Sequence, residues 1–87
     1  MKKQLTLELY YTLMCPNCKT LITLLNEVLP GYNDKFQVKK VLASSPFGMV
    51  KTMKLGIHTV PTVVINNKVV LKAVPTKEEL IQLLNQY

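Results

Sequence analysis

Leu5, Leu7 and Leu9 alternate with Thr6, Glu8 and Tyr10, the period of two expected of a strand with one buried face. This first strand runs from Leu5 to Tyr11. From Cys18 to Leu29 the period changes: Leu21, Ile22, Leu24, Leu25, Val28 and Leu29 recur at helical spacing, and Pro30-Gly31 stops the run. Phe36, Val38 and Val41 mark a second strand. Lys35, Lys39 and Lys40 between them indicate an edge strand guarded against further pairing. Ser45-Pro46 reads as the cap and first position of a short helix ended by Gly56, with Phe47, Val50 and Met53 as its apolar face. Met49 and Met53, also at helical spacing, read as core filler. Thr59 to Ile65 is a β-branched run opened by Pro61, where a proline lacking a donor is tolerated and a cis bond is permitted. Asn66-Asn67 turns the chain into Val69, Val70 and Leu71. Thr76 with Glu79 matches a capping box, ahead of a last helix with Leu80, Ile81, Leu83, Leu84 and Tyr87 on its apolar face. The expected order is β-α-β-α-β-β-α, without repeats or linkers.

Eighty-seven residues correspond to one domain, 1–87, that buries about 60–65% of its unfolded surface. No apolar run of membrane-spanning length occurs. Lys2 and Lys3 are followed by a strand interrupted by Glu8, with no small-residue cleavage site, so a signal peptide is not expected. The net charge of +6 comes from lysine alone. The lysines are dispersed, without arginine or interleaved aromatics, a pattern that argues for a solvated surface and against nucleic-acid binding. Such a surface can still steer acidic partner proteins toward a site. With one close cysteine pair and no disulfide framework, a reducing cytoplasmic compartment is expected.

That pair carries the chemistry. Cys15-Pro16-Asn17-Cys18 stands where the first strand gives way to the first helix, the C-x-x-C arrangement of thiol–disulfide exchange. Free N–H groups at a helix N-terminus stabilise a thiolate. Cys15 falls near the N-cap, Pro16 suits the first helical position, and Cys18 lies a turn in and more sheltered. Cys15 is thus the expected nucleophile and Cys18 the resolving thiol. Two other readings stay open: plain packing of two small residues, and a soft-metal site for monovalent copper built on Met14-Cys15-Pro16-Asn17-Cys18. A zinc site wants four ligands, and His58 is the sole histidine.

With its element order, the Cys15-Pro16-Asn17-Cys18 turn and the stretch Leu55-Gly56-Ile57-His58-Thr59-Val60-Pro61-Thr62, the chain resembles the thioredoxin-like superfamily over nearly its whole length. The short form is similar to glutaredoxins and small glutaredoxin-like disulfide reductases. The resemblance implies a minimal thioredoxin-like α/β fold: a four-stranded mixed sheet flanked by three helices. It also implies a cis Pro61 facing the cysteines, Val60 pairing with an extended substrate segment, and no cofactor or metal. Met14, Pro16, Asn17, Thr59, Val60 and Pro61 become the expected substrate-binding residues. Tyr11 and Thr12 join Met14 at the rim.

Departures from the family pattern sharpen the reading. Thioredoxins proper carry Trp before the first cysteine and Gly-Pro between the two. Their buried aspartate, six positions upstream, is replaced by Leu9; Glu8, one position away, is expected on the opposite sheet face. Glutaredoxins carry Pro-Tyr between the cysteines and Gly-Gly with an acidic residue after the hairpin. Here the hairpin is followed by Lys72-Ala73-Val74-Pro75-Thr76, which favours thioredoxin-type electron transfer over glutathione-dependent chemistry. The expected activity is reduction of disulfide-containing protein substrates by a monomer, recharged by a reductase or by glutathione. Lys19 and His58 are expected as solvated surface groups. A glutathione-dependent glutaredoxin, a copper-binding module and a non-catalytic domain binding partners through Val60-Pro61 are the alternatives.

Overall fold

The computed structural model describes residues 4–32 and 35–87; Lys2 and Lys3 lie outside them. Strand β1 (Leu5–Tyr11) leads into helix α1 (Pro16–Val28), which tightens into a 3-10 turn, Leu29–Tyr32. Strand β2 (Phe36–Leu42), helix α2 (Pro46–Leu55), the hairpin β3 (Thr62–Ile65) and β4 (Lys68–Leu71), and helix α3 (Lys77–Leu84) follow. The order expected from the pattern is the order observed. The α-helical ladder of α1 ends where Leu29 N–H donates to the Leu25 carbonyl, because Pro30 has no N–H to continue it.

The sheet order is β2-β1-β3-β4. Strand β1 is parallel to β2 and antiparallel to β3, and β3 is antiparallel to β4. This is the mixed four-stranded sheet with three helices that the resemblance implies, with β2 on an edge. Asn66 and Asn67 turn the hairpin at φ 52 and 65, conformations that asparagine tolerates.

The alternation in β1 divides the molecule. Leu7 and Leu9 pack with Leu21 and Leu25 of α1, Val63 and Ile65 of β3, and Leu80 and Leu84 of α3. Burying side chains of this size contributes roughly 1.5–3 kcal/mol each, so this face supplies most of the hydrophobic stabilisation. Tyr10, Val41 and Val64 form a smaller cluster with Leu55 and Ile57 on the α2 face. The capping box of α3 is present: Thr76 N–H donates to Glu79 Oε1 at 2.9 Å, and Glu79 N–H to Thr76 Oγ1 at 3.1 Å.

Helix α2 departs from expectation. Phe47, Met49, Val50 and Met53 are 68%, 54%, 52% and 82% exposed, so neither the 47–50–53 stripe nor the two methionines fill the core. The helix turns Gly48, Lys51, Thr52 and Leu55 inward instead. Its phase is set at its start. Ser45 Oγ donates to the Leu42 carbonyl at 2.7 Å and accepts from Gly48 N–H at 3.0 Å, drawing the first turn against the end of β2. Only glycine allows that approach, since a Cβ at 48 collides with the Leu42 carbonyl oxygen.

Glu8 is buried on this second face. It accepts from Tyr10 Oη at 3.2 Å and lies 3.9 Å from Lys51 Nζ, which ties α2 to the central strand. Burial, and then the adjacent Glu8 charge and hydrogen bond, push Tyr10 up to about 12 from an ordinary 10.0.

Two outcomes are expected. Gly48→Ala lowers stability by about 1–3 kcal/mol, measured by urea denaturation, because α2 must shift off β2. For Tyr10 the folded state holds its proton more tightly than the unfolded chain, so its contribution is complete below pH ~10 and is lost as pH rises through ~12. Tyr10→Phe therefore flattens the fall in urea midpoint across that window. An identical fall in both proteins contradicts the assignment.

Candidate active site

The site begins at the end of the central strand. Tyr10 pairs with Thr62, the first residue of β3, and Ala43 N–H donates to the Tyr11 carbonyl at 2.8 Å. Three connections therefore emerge at one end of the sheet: the loop after β1, the loop after β2 and the loop before β3. Ligand sites in open α/β sheets sit at the carboxyl ends of parallel strands such as β1 and β2.

In the first loop, Cys15 is the N-cap of α1, with extended backbone (φ −123, ψ 99). Its sulfur accepts from Cys18 N–H at 3.1 Å, using one of the donors that a helix start leaves without an internal partner. Pro16 occupies the first helical position, where its missing donor costs nothing. The first turn carries no acidic residue, so no carboxylate opposes an anion at the cap. Cys15 and Cys18 form a disulfide, with Cα atoms 5.2 Å apart. Cys15 is half-buried and Cys18 is 1% exposed. The two residues are thus bonded yet unequally exposed.

Pro16, Asn17 and Met14 are exposed around the pair, Met14 at 93%. In the third loop the Val60–Pro61 bond is cis, as the resemblance implies. Pro61 is buried, Val60 half-buried and Thr59 exposed. Thr62 Oγ1 donates to the Thr59 carbonyl at 2.6 Å and holds the loop against the start of β3. Thr12, Ser44, His58, Thr59 and Val60 line a surface groove of about 330 Å³ between the three loops. The expected substrate-binding residues therefore fall at one end of the sheet: Met14, Pro16 and Asn17 around the head of α1, and Thr59, Val60 and Pro61 in the loop before β3. Tyr11 and Thr12 are half-buried at the rim, and His58 and Lys19 are exposed.

Glu8 lies on the α2 face with Tyr10 and Lys51, whereas Leu9 belongs to the α1 face. Glu8 is therefore not the counterpart of the aspartate that Leu9 replaces. Leu13, 70% exposed beside Met14, extends the apolar rim and was not singled out from sequence. Its signal was a large apolar residue in a turn, outside both the strand and helix periods. Ser44 in the groove gave no signal, since β2 and its loop join the site only through sheet pairing.

A family model described as thioredoxin domain matches residues 5–85. A thioredoxin from Methanocaldococcus jannaschii is 33% identical over 81 residues, covering 92% of either chain. A probable thioredoxin from Methanothermobacter thermautotrophicus is 28% identical over 79 residues, covering 91% of either chain. Among solved structures, a malaria parasite thioredoxin-2 superposes with a TM-score of 0.80 at 18% identity, over 100% of this chain and 86% of that one. A second malarial protein superposes with a TM-score of 0.77 at 15% identity, over 97% of each chain. These two likenesses concern the fold. A cysteine pair bonded at the head of α1, inside a match spanning nearly the whole chain, makes this a member of the thioredoxin family of thiol–disulfide oxidoreductases.

Proposed function

We propose that the protein reduces disulfides of partner proteins by dithiol exchange, with Cys15 as nucleophile and Cys18 as resolving thiol. The observation that carries this reading is the asymmetry of the pair: Cys15 half-buried at the helix cap, Cys18 1% exposed behind it, with the Cys18 N–H on the Cys15 sulfur. In the reduced protein that N–H and the helix start favour the Cys15 thiolate. The thiolate attacks one sulfur of the substrate disulfide, forming a mixed disulfide as the other substrate sulfur leaves as a thiolate. Cys18 then gives up its proton and attacks the Cys15 sulfur. The second substrate thiolate leaves, and two electrons have passed from the pair to the substrate. The Cys15–Cys18 disulfide is the oxidised end of this cycle.

Substrate is held by Met14, Pro16 and Asn17 on one side and by Thr59, Val60 and Pro61 on the other. The groove between the loops and the half-buried Val60 suit an extended polypeptide that pairs with its backbone. A thioredoxin-type reductase is the favoured electron donor, because the segment after β4 is Lys72-Ala73-Val74-Pro75-Thr76 and lacks the glycine turn and acidic residue of glutathione sites. The protein acts as a single-domain monomer in the cytoplasm, without cofactor or resident metal. Among the described residues no helix is long and apolar enough to cross a membrane.

Cys15→Ser is expected to abolish reduction of insulin disulfides, while Cys18→Ser accumulates a stable one-to-one mixed disulfide with substrate, seen on non-reducing gels and by mass. Trapping by Cys15→Ser and not by Cys18→Ser reverses the roles. A thioredoxin reductase system is expected to reduce the oxidised protein faster than glutathione does; the opposite ranking assigns it to glutathione-dependent chemistry. Tight one-to-one binding of monovalent copper by a reduced protein that leaves insulin intact supports the metal-binding reading.

A further inference from the structure

Strand β2 closes one end of the sheet, and among the described residues nothing pairs with its outer edge. Its register shows what that edge presents. Leu5 N–H donates to the Lys35 carbonyl and Ala43 N–H to the Tyr11 carbonyl. In a parallel ladder this turns the backbone groups of odd-numbered β2 residues toward β1 and those of Phe36, Val38, Lys40 and Leu42 outward. The Leu42 carbonyl is taken by Ser45, so the open main-chain groups centre on Val38 and Lys40.

The two flanks of this edge differ. On the α1 side Val38, itself 38% exposed, lies with Ile22, Leu25 and Leu29 along a mainly apolar groove of about 340 Å³, which Lys40, in register with Leu9, also lines. On the α2 side, where Lys39 is in register with Glu8, a groove of about 660 Å³ is lined by Lys39, Lys51 and the exposed Phe47. The one carboxylate lining it, Glu8, is buried and engaged by Tyr10 and Lys51. Lys39 and Lys40 are exposed, and among the described residues neither has an ion-pair partner.

We propose that the β2 edge is a docking site for an acidic, extended segment of a partner protein, added to the sheet as a fifth strand. Alternate side chains of an added strand fall on opposite faces. On one face apolar side chains meet Val38, Ile22 and Leu29; on the other carboxylates meet Lys39 and Lys51, beside Phe47. The segment recognised therefore alternates apolar and acidic residues. The same lysines repel the β2 edge of a second copy, so the charge that guards the strand against self-association selects its partner. Outward main-chain donors and acceptors match a polypeptide and not a nucleic acid. The site is separate from the cysteine pair, so binding is expected whether the pair is oxidised, reduced or absent in Cys15→Ser.

The test uses the full-length protein and a labelled octapeptide of alternating Glu and Val, followed by fluorescence anisotropy. Saturable binding is expected, weakened by added salt and by at least about tenfold in the Lys39→Glu variant, whose insulin reduction is unchanged. An N-methylated peptide, blocked at alternate amides, leaves the protein intact and is expected to lose binding in the register that faces β2. Equal binding of a Lys-Val analogue or of a block Glu-Val peptide overturns the proposal. So does tighter binding of a single-stranded oligonucleotide, or a dimer in sedimentation that Lys39→Glu alters.

Discussion

The structure turns on one contact, the Cys18 N–H meeting the Cys15 sulfur where α1 begins. A helix start leaves donors unpartnered, and here one of them is satisfied by sulfur. The contact requires β1 to end and α1 to begin within a few residues, with Pro16 starting the helix at no loss of a hydrogen bond. It also requires β1 to be central, so that its end is held from both sides by β2 and β3. Placing Cys18 within the fold and Cys15 at its surface follows from the same helix phase that buries Leu21 and Leu25.

The two faces of the sheet divide the labour. The α1 and α3 face carries the larger core and anchors the helix that presents the cysteines. The α2 face is thinner and includes a buried hydrogen-bonded pair, Glu8 with Tyr10, next to Lys51. A buried carboxylate beside a phenol and a lysine specifies how α2 sits more than it adds stability. With its apolar side chains largely in solvent, α2 is held by Ser45 on the Leu42 carbonyl at its start, by Lys51 beside Glu8, and by Leu55 against the Tyr10 cluster.

Much of this was legible in the residues. The period of two in β1, the stripe in α1, the capping box at Thr76 and the Asn66-Asn67 turn each rest on local chemistry, and each appears where the pattern puts it. The C-x-x-C pair was legible because its position between a strand and a helix specifies the amides around it. The phase of α2 was misread for a physical reason. Its hydrophobic residues other than Leu55 lie on the outer face, and the residue that decides the phase, Gly48, acts through close backbone approach and leaves no hydropathy signal. Which neighbours surround the site was equally hidden: Ser44 reaches the groove through strand pairing, a contact between distant positions that no local period encodes.

The thiolate itself is the quantity on which the account stands. In Cys18→Ser protein a single thiol remains, while the backbone N–H at position 18 and the helix start are retained. Ultraviolet absorbance of the thiolate across pH then reports the ionisation of Cys15 alone. A midpoint clearly below about 8.5, the value of a free cysteine, is the predicted result; a midpoint at or above it contradicts an anion held by the helix amides.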